Sequence, residues 1–82
     1  MDRTSVIAEM QALFNEIFLD EVKLTPELSA SDVAEWDSLM QINVLVSVER
    51  HFGIHFRVGE VETTKNVGEF ADLIVKRSAE KG

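Results

Sequence analysis

Ser38 is the side chain of this sequence that is best placed to do chemistry. It lies in the segment Trp36-Asp37-Ser38-Leu39, where a long loop meets an apolar run with helical spacing. Gln41 follows three residues later, and Ser-x-x-Gln is the pattern of a helix capping box. A hydroxyl at a helix N-terminus is also exposed, and a phosphate ester on it would face free N–H groups and the positive end of the helix dipole. Ser38 is therefore either a helix cap or the attachment point of a phosphodiester.

Other patterns that carry catalysis or bind metals are missing from the sequence. There is no Cys, which excludes disulfides, thiolate metal sites and cysteine nucleophiles. His51 and His55 straddle Gly53 and a predicted helix end, so they do not share one helix face as a zinc-binding pair does. Neither a Gly-x-Ser-x-Gly turn nor a glycine-rich phosphate loop is present. We expect no enzyme activity, no catalytic residue and no metal site.

The charge of the chain restricts its partners. It has 82 residues, with 8 basic and 15 acidic side chains and a net charge of −7. This charge repels phosphate backbones and anionic lipid, so we expect no nucleic-acid binding and favour basic protein surfaces, although a scattered acidic excess also serves solubility. Asp37 would repel an anion bound at Ser38, so we interpret it as a contact for a cationic partner or for a metal carried by that partner.

The elements that must position Ser38 are predicted to be helices. Apolar residues recur every three or four positions in residues 4–18, 38–52 and 67–74. Gly53 offers a left-handed stop after the second run, and Asn66 with Glu69 is spaced as a capping box before the last. The apolar stripe of the second predicted helix consists of Leu39, Ile42, Leu45, Val46 and Phe52, widened by Val44 and Val48.

The remaining segments are short or irregular. Residues 60–64 are long enough only for a short third helix, and residues 54–58 are predicted to be extended because a lone strand has no pairing partner. Residues 20–37 form a long loop with one isolated turn at Thr25-Pro26. We expect this loop to be ordered by four apolar anchors, Leu24, Leu28, Val33 and Trp36. The fold class is all-α, a four-helix bundle with three main helices and one short third helix.

Length and hydropathy indicate one domain, residues 1–82, because a shorter unit could not bury a sufficient core. No apolar run reaches the roughly 18 residues of a membrane span, and the first residues lack a secretion signal. We therefore expect a cytoplasmic protein, and its self-repulsion favours a monomer.

The motif Asp37-Ser38-Leu39 at the start of a second helix resembles the acyl carrier proteins, whose modified serine lies in an Asp-Ser-Leu motif at that place. The resemblance covers nearly the whole chain, including the long loop, the helix end at Phe52-Gly53-Ile54 and the entry to the last helix at residues 63–67. It implies a four-helix bundle in which Ser38 receives 4'-phosphopantetheine covalently from coenzyme A. The thiol of this arm then carries an acyl group as a thioester, for a fatty acid, polyketide or other specialised pathway.

The resemblance also implies partners, namely a magnesium-dependent phosphopantetheinyl transferase and acyl-loading and acyl-processing enzymes such as ligases and ketosynthases. Family members that serve general fatty acid synthesis present several acids on the exposed face of helix two, whereas Glu49 is the only acid on this helix. We therefore expect partly apolar recognition, with Val46 assisting, by a dedicated synthase or ligase. The predicted partner-binding residues are Asp37, Leu39, Met40, Asn43, Glu60 and Glu62.

In the family an acyl chain can fold back between the second and third helices. Residues that could line such a pocket are Val44, Val48, Ile54 and Val61, although each taken singly is better explained as ordinary core. Two alternatives to an acyl carrier stay open at this point. One is an aminoacyl or peptidyl carrier with the same modified serine. The other is an unmodified acidic helical adaptor that binds a basic protein and uses Ser38 only as a cap.

Overall fold

The computed structural model describes residues 2–81, so Met1 and Gly82 of the predicted domain lie outside the described residues. It contains three α-helices, α1 (Arg3–Ile17), α2 (Ser38–Phe52) and α3 (Val67–Lys81), and two 3-10 turns, Ala30–Asp32 and Val61–Thr63. No β-strand occurs in the described range. The predicted all-α class with three main helices is confirmed, and the short third helix takes the form of the second 3-10 turn.

Local side-chain chemistry explains where the helices begin and end. At the start of α1, Asp2 accepts a hydrogen bond from the Ser5 N–H at 2.8 Å, and this bond lowers the pKa of Asp2. Gly53 ends α2 with a left-handed φ of 66°. Before α3, Asn66 accepts from the Glu69 N–H at 2.8 Å, while the Glu69 carboxylate accepts from the Lys65 N–H at 2.9 Å. The predicted stop and cap are thus both present.

The core lies where α1 contacts α2 and α3. Helix α1 contributes Val6, Met10 and Phe14, and α3 contributes four residues, Val67, Phe70, Ala71 and Ile74. The apolar stripe predicted for α2 is divided between the core and the surface. Val44 and Val48 are fully buried, whereas Leu39, Ile42 and Val46 are 72%, 58% and 43% exposed. Apolar residues surround most of this helix, so its periodicity alone does not select the face that packs on α1.

The long loop between α1 and α2 is ordered by contacts with both ends of the bundle. Its residues Val22 and Leu24 are buried, and Leu28, Val33 and Trp36 pack against the core. The Gln11 side chain of α1 accepts from the Leu24 N–H at 2.9 Å. Near the start of α3, the Val67 N–H donates to the Leu28 carbonyl at 2.8 Å and the Gly68 N–H donates to the Pro26 carbonyl at 2.9 Å. The loop therefore has a defined path that ends at the first turn of α2.

Candidate functional site

Ser38 is the first residue of α2, and its neighbour Asp37 caps the helix. The Asp37 Oδ1 accepts from the Met40 N–H at 2.9 Å, while the Asp37 carbonyl accepts from the Gln41 N–H at 2.9 Å. Of the two alternatives for Ser38, the helix cap is not the one observed, because the carboxylate of Asp37, one residue earlier, caps α2. Among residues 2–81, no protein group is hydrogen-bonded to the Ser38 hydroxyl, and the residue is exposed. Its hydroxyl is free for chemistry, whereas Asp37 has a structural task and remains exposed to partners.

Trp36 anchors the chain just before this turn. Its ring packs edge-on against Phe14 at 5.1 Å and against Phe18 at 5.9 Å between ring centroids. Its indole Nε1–H donates to the Gln41 Oε1 at 2.5 Å, which connects the end of the loop to the first turn of α2. The indole therefore links the start of α2 to the buried side of α1.

Glu35 adds a second attachment to α1. Its carboxylate accepts from the Leu19 N–H at 2.8 Å and from the Asp20 N–H at 3.1 Å, just beyond the C-terminus of that helix. Both donors belong to exposed residues just after α1, so Glu35 takes the place of water there. Together with Trp36, this carboxylate holds the segment that precedes Ser38.

An open groove of about 560 Å³ lies beside Ser38. This volume is within the range of small-molecule pockets. One wall is the first turn of α2, the other is the second 3-10 turn with the start of α3, and the loop closes one side. The lining residues are Leu28, Ser29, Ala30, Ser31, Trp36, Asp37, Ser38, Gln41, Val61, Glu62, Thr64, Lys65, Asn66, Val67 and Phe70. All four predicted pocket residues belong to the core, and of these four only Val61 also lines this groove.

Glu60, one of the predicted partner-binding residues, is paired within the protein. The Arg77 Nε lies 3.0 and 3.1 Å from the two Glu60 carboxylate oxygens, and a second Arg77 nitrogen also contacts Glu60. Arg77 further donates to Glu80 at 2.6 Å. Hydrogen bonding to Arg77 lowers the pKa of Glu60. This cluster fixes the 3-10 turn against α3 and leaves Glu62 as the exposed acid of that turn.

The exposed face of α2 is apolar beside Ser38. Leu39, Ile42 and Val46 are spaced by three and four residues and share this face. Asn43 and Arg50 are exposed, whereas Met40 is partly buried against the core. Sequence reasoning placed Ile42 in the apolar stripe of α2 and did not name it as a partner contact, although its spacing from Leu39 and Val46 was the signal for this shared face.

The two histidines lie apart from this site. His51 pairs with Glu9 at 2.8 Å, and His55 lies 4.0 Å from Glu49. Residues 2–81 contain no cluster of His, Cys, Asp or Glu arranged to hold a metal ion. Within the same range, no helix combines the length and hydropathy needed to cross a membrane.

Comparison with known proteins agrees with this architecture. Residues 9–74 match the family model described as "Phosphopantetheine attachment site". An acyl carrier protein of Rubrobacter xylanophilus is 30% identical over 77 residues, which cover 93% of this chain and 95% of that protein. The solution structure of a holo acyl carrier protein from Geobacter metallireducens superimposes with a TM-score of 0.84 at 42% identity, covering 93% of this chain and 88% of that one.

The chain therefore belongs to the acyl carrier proteins, which carry acyl groups on a covalently attached phosphopantetheine. An exposed hydroxyl without a protein partner, at the edge of a groove of small-molecule size, fits such a group. When bound, the phosphopantetheine supplies the thiol on which an acyl group is carried.

Proposed function

We propose that Ser38 is the residue to which phosphopantetheine is attached, and that this chain carries acyl groups without catalysing a reaction itself. The observation that supports this most strongly is the free, exposed hydroxyl of Ser38, since helix capping is done by Asp37. A serine that only capped the helix would have its oxygen engaged with a backbone N–H. Its availability favours a carrier over the adaptor in which Ser38 is only a cap.

The start of α2 also suits the phosphodiester that such an attachment creates. The N–H groups of the first helical turn have no partner within the helix. Asp37 takes the N–H of Met40 and its carbonyl takes that of Gln41, which leaves the N–H groups of Ser38 and Leu39. These two donors and the positive end of the helix dipole would face a phosphate on the hydroxyl of Ser38. This offsets part of the repulsion from the neighbouring carboxylate.

Intact mass tests the attachment. The protein is measured before and after treatment with coenzyme A, magnesium and a broad-specificity phosphopantetheinyl transferase. We expect a gain of one phosphopantetheine in the wild type and none in Ser38→Ala. Ser31→Ala is the matched control, because Ser31 is another exposed serine of the groove. The proposal fails if the folded wild type gains nothing or if Ser38→Ala is still modified.

The partners that follow from this proposal are a phosphopantetheinyl transferase and the ligases and ketosynthases that load and process acyl groups. Because the arm comes from coenzyme A, we propose that the protein works in the cytoplasm. We treat residues 1–82 as one domain that acts as a monomer, a state that its net charge of −7 favours.

We propose that partner recognition uses the exposed face of α2 formed by Leu39, Ile42 and Val46, which we call the apolar face. Asp37, Asn43 and Glu62 would surround it with polar contacts, whereas Glu60 is already paired with Arg77. An apolar centre with a polar rim is the usual anatomy of a protein interface. This supports a dedicated synthase or ligase as partner, and not enzymes that recognise several acidic side chains on the second helix.

Adding acids to this face tests the specialisation. The double variant Ile42→Glu with Asn43→Glu should gain acyl transfer by enzymes of general fatty acid synthesis, since it acquires the charge those enzymes read. The matched control is Ala8→Glu with Ala12→Glu, which adds the same charge at exposed positions of α1. If the control gains as much as the test variant, or if neither gains, recognition by the apolar face is contradicted.

A further inference from the structure

The orientation of the Gln41 side chain is determined by Trp36. The indole Nε1–H is only a donor, so the Gln41 amide atom that lies 2.5 Å from it must be the oxygen. The amide NH2 group is then turned away from the indole. Among the residues that the structure describes, no protein acceptor is hydrogen-bonded to the Gln41 Nε2. A half-buried residue of the groove therefore retains two unused N–H donors.

Gln41 lies close enough to Ser38 for its two N–H donors to meet a group attached to the Ser38 hydroxyl. Residues three apart share a face of a helix, and both side chains line the groove. Three residues of α-helix advance about 4.5 Å along the axis, at 1.5 Å per residue. A chain attached at Ser38 that entered the groove would therefore pass Gln41. The far side of the groove contributes the apolar residues Val61 and Phe70.

We propose that Gln41 is a positioning residue for the phosphopantetheine arm, and that its Nε2 donates a hydrogen bond to an amide carbonyl oxygen of the arm. This inference rests on the proposed attachment at Ser38. The arm has two amide carbonyls, and each accepts a hydrogen bond without any change in covalent structure. The Nε2 atom is accessible to water before the arm is attached, so its hydrogen bond to the arm replaces one to water. Attachment at Ser38 keeps the arm at a high effective concentration beside Gln41, which favours an arm seated in the groove over an arm free in water. Trp36 acts through Gln41 by keeping the donor turned toward the arm.

NMR spectroscopy of the modified protein tests the role of Gln41. In the wild type we expect the Gln41 side-chain amide resonances to shift when the apo protein is converted to the phosphopantetheine form. We also expect nuclear Overhauser contacts between the arm and Val61 or Phe70. Both variants of Gln41 should lose these contacts. Gln41→Met removes the amide without adding charge, and Gln41→Glu keeps an acceptor for Trp36 while removing the donor.

The controls separate this inference from the proposed function. Asn15→Met removes an exposed side-chain amide from α1, outside the groove, and should leave the arm contacts unchanged. Intact mass verifies that every variant carries the arm. A modified wild type without arm contacts, or contacts that persist in both Gln41 variants, overturns the role of Gln41 alone. A folded wild type that cannot be modified contradicts the attachment at Ser38.

Discussion

Replacing Asp37 by Ala and by Asn separates its two possible tasks, helix capping and charge recognition. The carboxylate accepts from the Met40 N–H at 2.9 Å and is exposed to solvent. Ala leaves that N–H to water, whereas Asn keeps a side-chain oxygen at the same place and removes only the charge. Asn and Asp are comparable N-cap residues.

The expected size of the effect follows from the geometry of the cap. Loss of an N-cap oxygen costs typically about 1 kcal/mol, within a range of about 0.5–2 kcal/mol. For a domain of this length, 1 kcal/mol corresponds to a fall in Tm of about 4–8 °C. The charge of Asp37 adds about 0.3–1 kcal/mol through the helix dipole at low salt, and salt screens this part. At high salt we therefore expect Asp37→Asn to equal the wild type and Asp37→Ala to melt about 4–8 °C lower.

Thermal unfolding followed by circular dichroism measures this difference, and the rate of modification by a phosphopantetheinyl transferase is measured on the same samples. If charge also matters to the transferase, Asp37→Asn is modified more slowly although its stability is unchanged. A rate equal to that of the wild type would remove Asp37 from the predicted partner contacts. If Asp37→Ala and Asp37→Asn have the same Tm at high salt, the capping argument is refuted.

Two further predictions concern the fold and its response to acid. Phe14→Ala should lower the free energy of unfolding, measured in urea, by about 3–5 kcal/mol. The reason is that this side chain is 1% exposed and contacts two other aromatic rings. A loss under about 1 kcal/mol would mean that the neighbouring side chains fill the space around the smaller residue. Arg77 lowers the pKa of Glu60 in the folded protein below its ordinary value of 4.5. The pair therefore stabilises the fold at pH values above 4.5, and this stabilisation is lost as the pH falls through the folded-state pKa. Glu60→Gln should therefore lose less stability than the wild type on acidification from neutral pH, and identical acid-dependent losses in the two proteins would contradict the pairing.

The helices and their ends could be predicted because their causes are local. Spacing of apolar residues, the left-handed Gly53 and the Asn66 cap all act within a few positions along the chain. The choice between Asp37 and Ser38 as the cap of α2 is also local. Asp37 and Ser38 are both good N-cap residues, and the pattern Ser-x-x-Gln drew attention to the second of them. Once Asp37 is the cap, Gln41 is free to bond Trp36.

The functions of the acids and of α2 depend on contacts between distant parts of the chain. Glu60 is paired with Arg77, 17 residues away, and nothing in the spacing of the two predicts this pair. Likewise, Ile42 is exposed because Val44 and Val48 face the core. The packing partner of α2 therefore decides which residues a docking enzyme can reach.

The sequence by itself determined that this protein is helical, that an Asp-Ser-Leu motif opens the second helix, and that the chain carries a net charge of −7. Tertiary structure alone decided that Ile42 joins the exposed apolar face of α2, how Gln41 is oriented, and that a groove lies beside Ser38. The physical reason is the range of the interactions. Helix propensity and capping are satisfied by neighbours in sequence, whereas burial and groove walls require residues from the loop, α2, the second 3-10 turn and α3 to meet in space.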